Sequence, residues 1–201
     1  MDLIKFVGEK ASKNSTLVKI HNNADPNSVW VYLGDEFMSR ILYLPILQSE
    51  YSKLYFAQLE SEIVGFLLLD SRKSHVELRN KRNLFVCFQA TIRLLFSPRK
   101  LLRFLFVATF EVSGKIFGSE LNIEIVSMMV KNEFQNQGIG SNLVEFAIDD
   151  IRKSSNTQKW ITVTTFGDRS NKFYRKCNFV NFRYWKLFGI SLSSLKLDLL
   201  S

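Results

Sequence analysis

The chain has few of the residues that build disulfides, metal sites or secretion signals. Its two cysteines, Cys87 and Cys177, are too few for a disulfide framework and do not form a metal-ligand pair. Its two histidines, His21 and His75, lie outside the motifs described below and are expected at the surface. The first five residues lack the positive start, apolar run and cleavage site of a secretory signal. We therefore expect a cytoplasmic protein with buried free thiols and no bound metal.

Long apolar runs are also missing, because arginines interrupt them before they could span a bilayer. The 201 residues are 46% hydrophobic and 23% charged, which is typical of one folded domain, residues 1–201. The net charge of +8 falls entirely within residues 72–118, which hold ten basic and two acidic side chains. Because this excess is local, it does not indicate a nucleic-acid-binding protein.

Turn signals and hydrophobic spacing divide the first part of the chain into elements. Residues 1–15 show little pattern and are expected to be a loose lead-in, whereas Leu17–Ile20 is expected to be a first strand. Tyr55–Leu59 and Ile63–Leu69 flank the polar trio at residues 60–62, and this pattern predicts a β-hairpin. The basic segment 72–118 then predicts two helices joined at Ser97-Pro98, a helix-start pair.

The second part of the chain has a clearer pattern. The predicted order is strand, glycine turn, helix, strand, short helix and two strands, the last two joined at Gly189. The segments are Ile123–Val130, Ser141–Ser154, Trp160–Thr165, Asn171–Lys176, Phe179–Leu187 and Ile190–Leu199.

The glycine turn is the most informative stretch. It reads Gln135-Asn136-Gln137-Gly138-Ile139-Gly140 and lies between a predicted strand and a predicted helix. Glycines there allow the backbone to tighten until several N–H groups point into one space at the positive end of the helix. Such a nest holds a phosphate or pyrophosphate. Taken alone, the glycine pair is equally compatible with a simple tight turn.

A second motif follows this turn after one more strand. It begins with Asn171-Lys172-Phe173-Tyr174 and ends at Phe179. With Gln135, Gly138 and Gly140 before it, the chain resembles the GNAT superfamily of acyl-CoA-dependent N-acetyltransferases, and more narrowly the members from bacterial surface-polysaccharide gene clusters. Two positions depart from the family pattern: Asn178 replaces a usual glycine, and Gly167 replaces a frequent asparagine.

The resemblance implies an α/β (α+β) fold with a central, mixed but mostly antiparallel sheet flanked by helices. The basic helical insertion 72–118 would lie between the third and fourth strands. Acetyl-CoA would be the co-substrate, its pyrophosphate held by backbone N–H groups of the glycine turn and its pantetheine arm paired with the end of the preceding strand. A β-bulge would splay that strand from Trp160–Thr165 and open a cleft. The implied cofactor-binding residues are Met128, Met129, Val130, Gln135, Asn136, Gln137, Gly138, Ile139, Gly140, Ser141 and Asn171.

The resemblance also implies two catalytic residues. Tyr174 stands at the position of the family's general acid, where a phenol protonates the departing thiolate. Glu124 lies in a Glu-Ile-Val sequence like that of the histone acetyltransferase branch, whose glutamate is the general base. The alternatives are a core tyrosine, and a strand-edge carboxylate facing solvent or an arginine. Because no serine or cysteine has a visible partner, we expect direct attack in a ternary complex.

The acceptor is left open by the sequence. Residues 72–118 are compatible with a packed helical pair, with a lid that meets an anionic acceptor such as an amino-sugar nucleotide, or with peripheral membrane contact through residues 84–106. We expect transfer of an acetyl group to a primary amine of a small or sugar-linked acceptor. The alternatives are a protein or polyamine N-acetyltransferase and a non-catalytic module that binds CoA, a membrane or a partner. A monomer and a homodimer are equally compatible with the sequence.

Overall fold

The computed structural model describes residues 1–6, 9–70, 81–102, 104–105, 122–154, 160–187 and 190–199. Both ends of the basic insertion, His75 and the predicted turn at Gly189 lie outside the described residues. The described strands form one seven-stranded sheet with the order β1-β2-β3-β4-β5-β7-β6. Their bounds are β1 Asp2–Phe6, β2 Ser52–Leu59, β3 Glu62–Asp70, β4 Asn122–Val130, β5 Trp160–Phe166, β6 Val180–Leu187 and β7 Ile190–Asp198.

All neighbouring strands are antiparallel except β4 and β5, which are parallel. A parallel pair needs a long crossover, and a helix between these strands supplies it. The mixed, mostly antiparallel sheet expected from the resemblance is therefore confirmed. The helices are α1 Asn14–Ala24, α2 Val29–Leu33, α3 Asp35–Phe37, α4 Leu44–Gln48, α5 Lys81–Leu95, α6 Ile139–Ser154 and α7 Gly167–Lys176, with a π-helical turn at Met38–Tyr43 between α3 and α4.

Side chains on the two faces of the sheet form separate cores. On one face, Ile123, Ile125 and Val163 pack with α6 and α7. On the other face, Phe66 and Leu68 pack with α1, the π-helical turn and α4. This alternation follows from the two-residue period of a strand, which places successive side chains on opposite faces.

Two predictions for the N-terminal region are wrong. Asp2–Phe6 is not a loose lead-in but a strand, β1, which pairs with β2 at the sheet edge. Leu17–Ile20 is not a strand but part of α1, where Leu17, Val18 and Ile20 are buried on one helical face. An apolar run of four residues fits either period, so the sequence alone does not separate strand from helix there. With β1 taking the place of the expected first strand, the insertion still lies between the third and fourth strands.

The predicted hairpin and the predicted break in the insertion are both confirmed. β2 and β3 are joined by a tight turn in which Glu60 has a φ of 55°. α5 ends at Leu95, and residues 98–102 and 104–105 are helical again after Ser97. In the described residues no helix is both long and apolar enough to cross a membrane.

Candidate functional site

The sheet opens between β4 and β5. The two strands pair only from Asn122 opposite Trp160 to Ile125 opposite Val163, although both continue beyond that point. The register of β4 against β3 shifts at the same place, because Leu69 faces Ile125 whereas Leu68 faces Ser127, which makes Val126 an extra residue. Such a bulge bends a strand and increases its twist. The β5-facing edge of residues 126–130 is thereby left without a neighbouring strand among the described residues.

The glycine turn lies directly beyond this opening and has the backbone geometry of an anion nest. Asn136 and Gly138 have positive φ values of 62° and 80°. A Cβ atom added to Gly138 would meet nothing within 4 Å, so the space in front of the turn is open. The N–H of Asn142 donates to Gly138 O at 3.0 Å, whereas the N–H groups of residues 136–141 donate to no acceptor in the described part of the chain. These N–H groups are therefore available to a bound anion.

Gln135 supports the turn instead of facing the nest. Its Nε2 donates to Val130 O and to Asn132 Oδ1, both at 2.9 Å, and Arg169 Nη2 donates to its Oε1 at 2.9 Å. The N–H of Gln135 already donates to Asn132 O at 3.2 Å, so the available N–H groups begin at Asn136. The side chain thus joins the end of β4 to the turn and brings a guanidinium from α7 beside it.

Gly140 is needed for packing. A Cβ atom at this position would lie 3.3 Å from the ring of Phe173 and 3.6 Å from Met128 Cε. The absence of a side chain therefore lets the start of α6 approach both α7 and β4 closely. The two glycines of the motif thus have different roles, since Gly138 provides a positive φ and Gly140 provides close approach.

Tyr174 lies on α7, on the same face of the sheet as α6. It is 6% exposed, and its ring makes edge contacts with Phe173 and Phe179. Burial, with a smaller contribution from Cys177, raises the pKa of its hydroxyl above the ordinary value. Ser141, the last residue of the nest, lies near Cys177 and partly offsets the rise that burial causes in the pKa of its thiol. Tyr174, Gly140 and the nest are therefore neighbours, and in the described residues the Tyr174 hydroxyl makes no hydrogen bond.

Glu124 lies on the opposite face of the sheet from Tyr174. Its neighbours in β4, Ile123 and Ile125, point into the α6 core, so its own side chain points toward the side of the N-terminal helices. In register it lies between Asp70 of β3 and Thr162 of β5. It is partly exposed and lies one residue before the last β4–β5 pair, at the narrow end of the opening.

Asn171 is engaged elsewhere in the fold. Its Nδ2 donates to Ser193 Oγ of β7 at 2.6 Å and ties α7 to the sheet. It also lines a shallow depression of about 370 Å³ between α7 and β6. The other lining residues are Asp168, Lys172, Arg175, Asn181 and Tyr184. Its contact with a cofactor stays a prediction.

A chain of buried polar side chains leads to the bulge at Val126, and no sequence pattern indicates it. The Tyr43 hydroxyl lies 2.6 Å from His21 Nδ1 and 3.3 Å from Ser127 Oγ, and Ser28 Oγ lies 3.4 Å from His21 Nε2. The expectation that His21 is a surface residue is wrong, since it is 2% exposed. Burial lowers the pKa of His21 to about 4, so the ring is neutral at physiological pH. Only the fold brings α1, the π-helical turn and β4 together here.

The sequence analysis also did not single out Arg169 as a site residue, although its position close to the Asn171 motif was a signal. It lies two residues before Asn171, in the first turn of α7, where its bond to Gln135 joins the two motifs.

Among the described residues, no three histidine, cysteine, aspartate or glutamate side chains lie close enough together to bind a metal ion.

Comparison with solved structures finds the same fold in several acetyltransferases of low sequence identity. An N-acetyltransferase from Staphylococcus aureus Mu50 superposes with a TM-score of 0.59 at 16% identity, over 99% of both chains. The ribosomal-protein-S18-alanine N-acetyltransferase from Escherichia coli gives a TM-score of 0.59 at 10% identity, over 98% of this chain and 93% of the other. The Salmonella typhimurium protein yncA, solved with its cofactor acetyl-CoA, gives 0.55 at 12% identity, over 98% and 93%.

The chain belongs to the acetyltransferase (GNAT) family, whose model matches residues 19–179. Among curated proteins, none matches this chain. The family assignment expected from Gln135, Gly138, Gly140 and the Tyr174 motif is therefore confirmed.

Proposed function

We propose that this protein transfers an acetyl group from acetyl-CoA to a primary amine by direct attack in a ternary complex. The observation that carries the proposal is the run of backbone N–H groups at residues 136–141, which donate to no acceptor in the described part of the chain and lie beside the opened β4–β5 pair. An anion nest next to an exposed strand edge suits a thioester that bears a pyrophosphate. The family match and the acetyl-CoA of the Salmonella protein support this choice of donor.

The residues present fit such a donor. The N–H groups of Asn136 to Ser141 would hold the pyrophosphate, and the guanidinium of Arg169 lies close enough to the turn to add a positive charge. The free edge of β4 at residues 128–130 would pair with the amide groups of the pantetheine arm, as an added strand does. Gln135 would act indirectly, by holding the turn in place.

Proton transfer is assigned to two residues on opposite faces of the sheet. Glu124 would accept a proton from the incoming ammonium, because only a neutral amine can attack the thioester carbonyl. Attack forms the C–N bond, breaks the C–S bond and leaves a thiolate, to which the Tyr174 hydroxyl would donate its proton. The attacking nitrogen then loses its remaining excess proton through solvent, and an equivalent proton restores the Tyr174 phenol. A backbone N–H near Met129 would hydrogen-bond the carbonyl oxygen as negative charge develops on it. The raised pKa of Tyr174 keeps the phenol protonated at neutral pH, so the proton to be donated is present.

The proposed acceptor is a small or sugar-linked amine that carries negative charge, such as an amino-sugar nucleotide. Glu124 points toward the side of the sheet covered by the N-terminal helices, and α5 of the basic insertion packs on α2 and α3 there. The insertion holds the whole net charge of the chain, which favours an anionic acceptor over a polyamine or a basic peptide. The cytoplasmic location expected from the sequence stays a prediction.

The test of donor binding uses acetyl-CoA titration calorimetry on Gly138→Val. A valine at a φ of 80° would strain the backbone and fill the open space of the nest, so affinity should fall roughly tenfold or more. Glu60→Val is the matched control, because Glu60 also has a positive φ but lies in the β2–β3 turn. Normal affinity in Gly138→Val would remove the nest from the cofactor site.

The test of catalysis uses Glu124→Gln with a panel of anionic, neutral and cationic amines. Turnover should fall by roughly 100-fold or more, with acetyl-CoA affinity unchanged and the acidic limb of the pH–rate profile lost. A pH–rate profile like that of the wild type would exclude Glu124 as the base. Tight acetyl-CoA binding by the wild type without thiol release from any amine would instead indicate a non-catalytic CoA-binding module.

A further inference from the structure

The outward face of α5 is the largest run of exposed apolar side chains on any described helix. Phe85, Phe88 and Phe96, the last just beyond the helix end, are 58%, 62% and 83% exposed. The pattern continues into the next helical residues, where Leu102 and Leu105 are about half exposed. The remaining members of this face are Leu84, Ile92 and Leu95. We call these eight residues the α5 face.

α5 is held in this orientation by its opposite side. Val86, Ala90 and Leu94 are buried against a cluster from α2 and α3 that includes Leu33 and Phe37. The side chains that point outward are thus larger on average than those that pack inward, the reverse of what a helix made only to cover a core requires.

Polar contacts fix the same orientation. Arg93 Nη1 donates to Leu33 O at 2.6 Å, and the Tyr32 hydroxyl donates to Arg93 O at 2.8 Å. Near the start of α5, Arg40 Nε donates to Asn83 Oδ1 at 3.2 Å. The packing of α5 on α2 and α3 therefore keeps the α5 face exposed. An apolar surface of this extent marks an interaction site.

The charges around the α5 face indicate which kind of partner it binds. The sequence has no aspartate or glutamate between residues 78 and 110, whereas Arg82, Arg99 and Lys100 flank the face. Glu36 of α3 is paired with Arg82, and Lys100 also lies over the ring of Tyr32. A second copy would bring an equally basic face against this one, and the two would repel. An apolar helix face bordered by cations instead matches a bilayer surface that contains anionic lipid.

We propose that the α5 face docks this protein on anionic phospholipid membranes, with α5 parallel to the bilayer plane. The 15 residues of α5 form a rod about 22 Å long, which lies along the interface and inserts its phenylalanines between the headgroups. The basic side chains remain at the level of the lipid phosphates. This inference is independent of acetyl transfer, because it uses neither the nest nor Glu124.

The experiment measures co-sedimentation of the full chain with vesicles, at low and high salt. The vesicles are phosphatidylcholine alone, or phosphatidylcholine mixed with phosphatidylglycerol. The test variant is Phe85→Ser/Phe88→Ser, and the matched control is Phe182→Ser, which removes a 43% exposed phenylalanine from β6. Circular dichroism and thermal unfolding of each variant verify that it is folded.

The wild type and Phe182→Ser should bind the mixed vesicles, and high salt should weaken this binding. The Phe85→Ser/Phe88→Ser variant should bind roughly tenfold or more weakly while folding normally. Wild-type protein that stays in the supernatant with mixed vesicles at low salt would overturn the proposal, as would equal binding by the double variant. Dimerisation in sedimentation velocity that the double variant abolishes, without vesicle binding, would assign the face to a second copy instead.

Discussion

At the scale of single residues, Tyr174 differs from a purely structural tyrosine in the hydrogen bonding of its hydroxyl. Tyr55, which is fully buried, donates its hydroxyl to Asp150 Oδ2 at 2.8 Å and thereby stabilises the attachment of α6 to the sheet. Tyr174 is also buried, yet among the described residues its hydroxyl makes no hydrogen bond. The Tyr174 hydroxyl is therefore not used to hold described elements together, and burial of the residue raises its pKa and keeps it protonated. This contrast supports Tyr174 as the proton donor.

Replacing Tyr174 with phenylalanine should separate catalysis from folding. The variant keeps the edge contacts with Phe173 and Phe179, so its melting temperature should change little. Because it loses the proton donor, kcat should fall by about 100-fold, with acetyl-CoA affinity unchanged. Steady-state kinetics with thiol detection and calorimetry would measure both quantities. An unaffected kcat would indicate that Tyr174 is only a packing residue.

At the scale of elements, the sequence predicted those parts whose signals are local. The β2–β3 hairpin followed from two apolar runs around a polar turn, and α6 followed from a glycine turn before a helical apolar face. β1 was not predicted, because five residues become a strand only through pairing with β2 and a contact between Lys5 and α6. The opening between β4 and β5 was expected only from the family resemblance, since a bulge at Val126 leaves no mark in the sequence.

Asp150 of α6 should be a main anchor of β1. It accepts hydrogen bonds from Lys5 Nζ at 3.0 Å, Lys53 Nζ at 3.2 Å and the Tyr55 hydroxyl at 2.8 Å. Burial raises the pKa of this carboxyl, but the three hydrogen bonds outweigh burial and lower it. Asp150→Asn should therefore lower the free energy of unfolding by about 1 to 3 kcal/mol and speed amide exchange in residues 2–6.

The matched control for Asp150→Asn is Glu62→Gln, which removes an exposed ion pair with Lys131. Its effect on the free energy of unfolding should stay below about 1 kcal/mol, because solvent screens such pairs. Urea unfolding and hydrogen exchange would measure both variants. Unchanged exchange in β1 of Asp150→Asn would show that strand pairing alone holds this strand.

At the scale of the whole molecule, the sequence predicts the family motifs but not the buried polar side chains near them. Glu124, Gly138 and Tyr174 lie in recognisable local contexts, so the resemblance predicts a role for each of them, and the family match confirms the family to which the motifs point. His21, Tyr43 and Ser127 are distant in sequence and meet only after α1 and the π-helical turn have packed on the sheet. Their contact depends on tertiary structure, and the position of His21 outside the recognised motifs led to its wrong placement at the surface.

The buried His21 should make the stability of the whole domain sensitive to mild acid. Burial lowers its pKa from 6.5 to about 4 in the folded state. Between these values the unfolded chain binds a proton that the folded chain excludes, so stability falls as pH drops from 6.5 toward 4, by up to about 3 kcal/mol. In His21→Gln, which does not titrate, unfolding free energies from urea at pH 7, 6 and 5 should decline less than in the wild type. Tyr43→Phe keeps the buried imidazole and should retain the steep decline, whereas parallel curves for wild type and His21→Gln would show that His21 does not contribute to it.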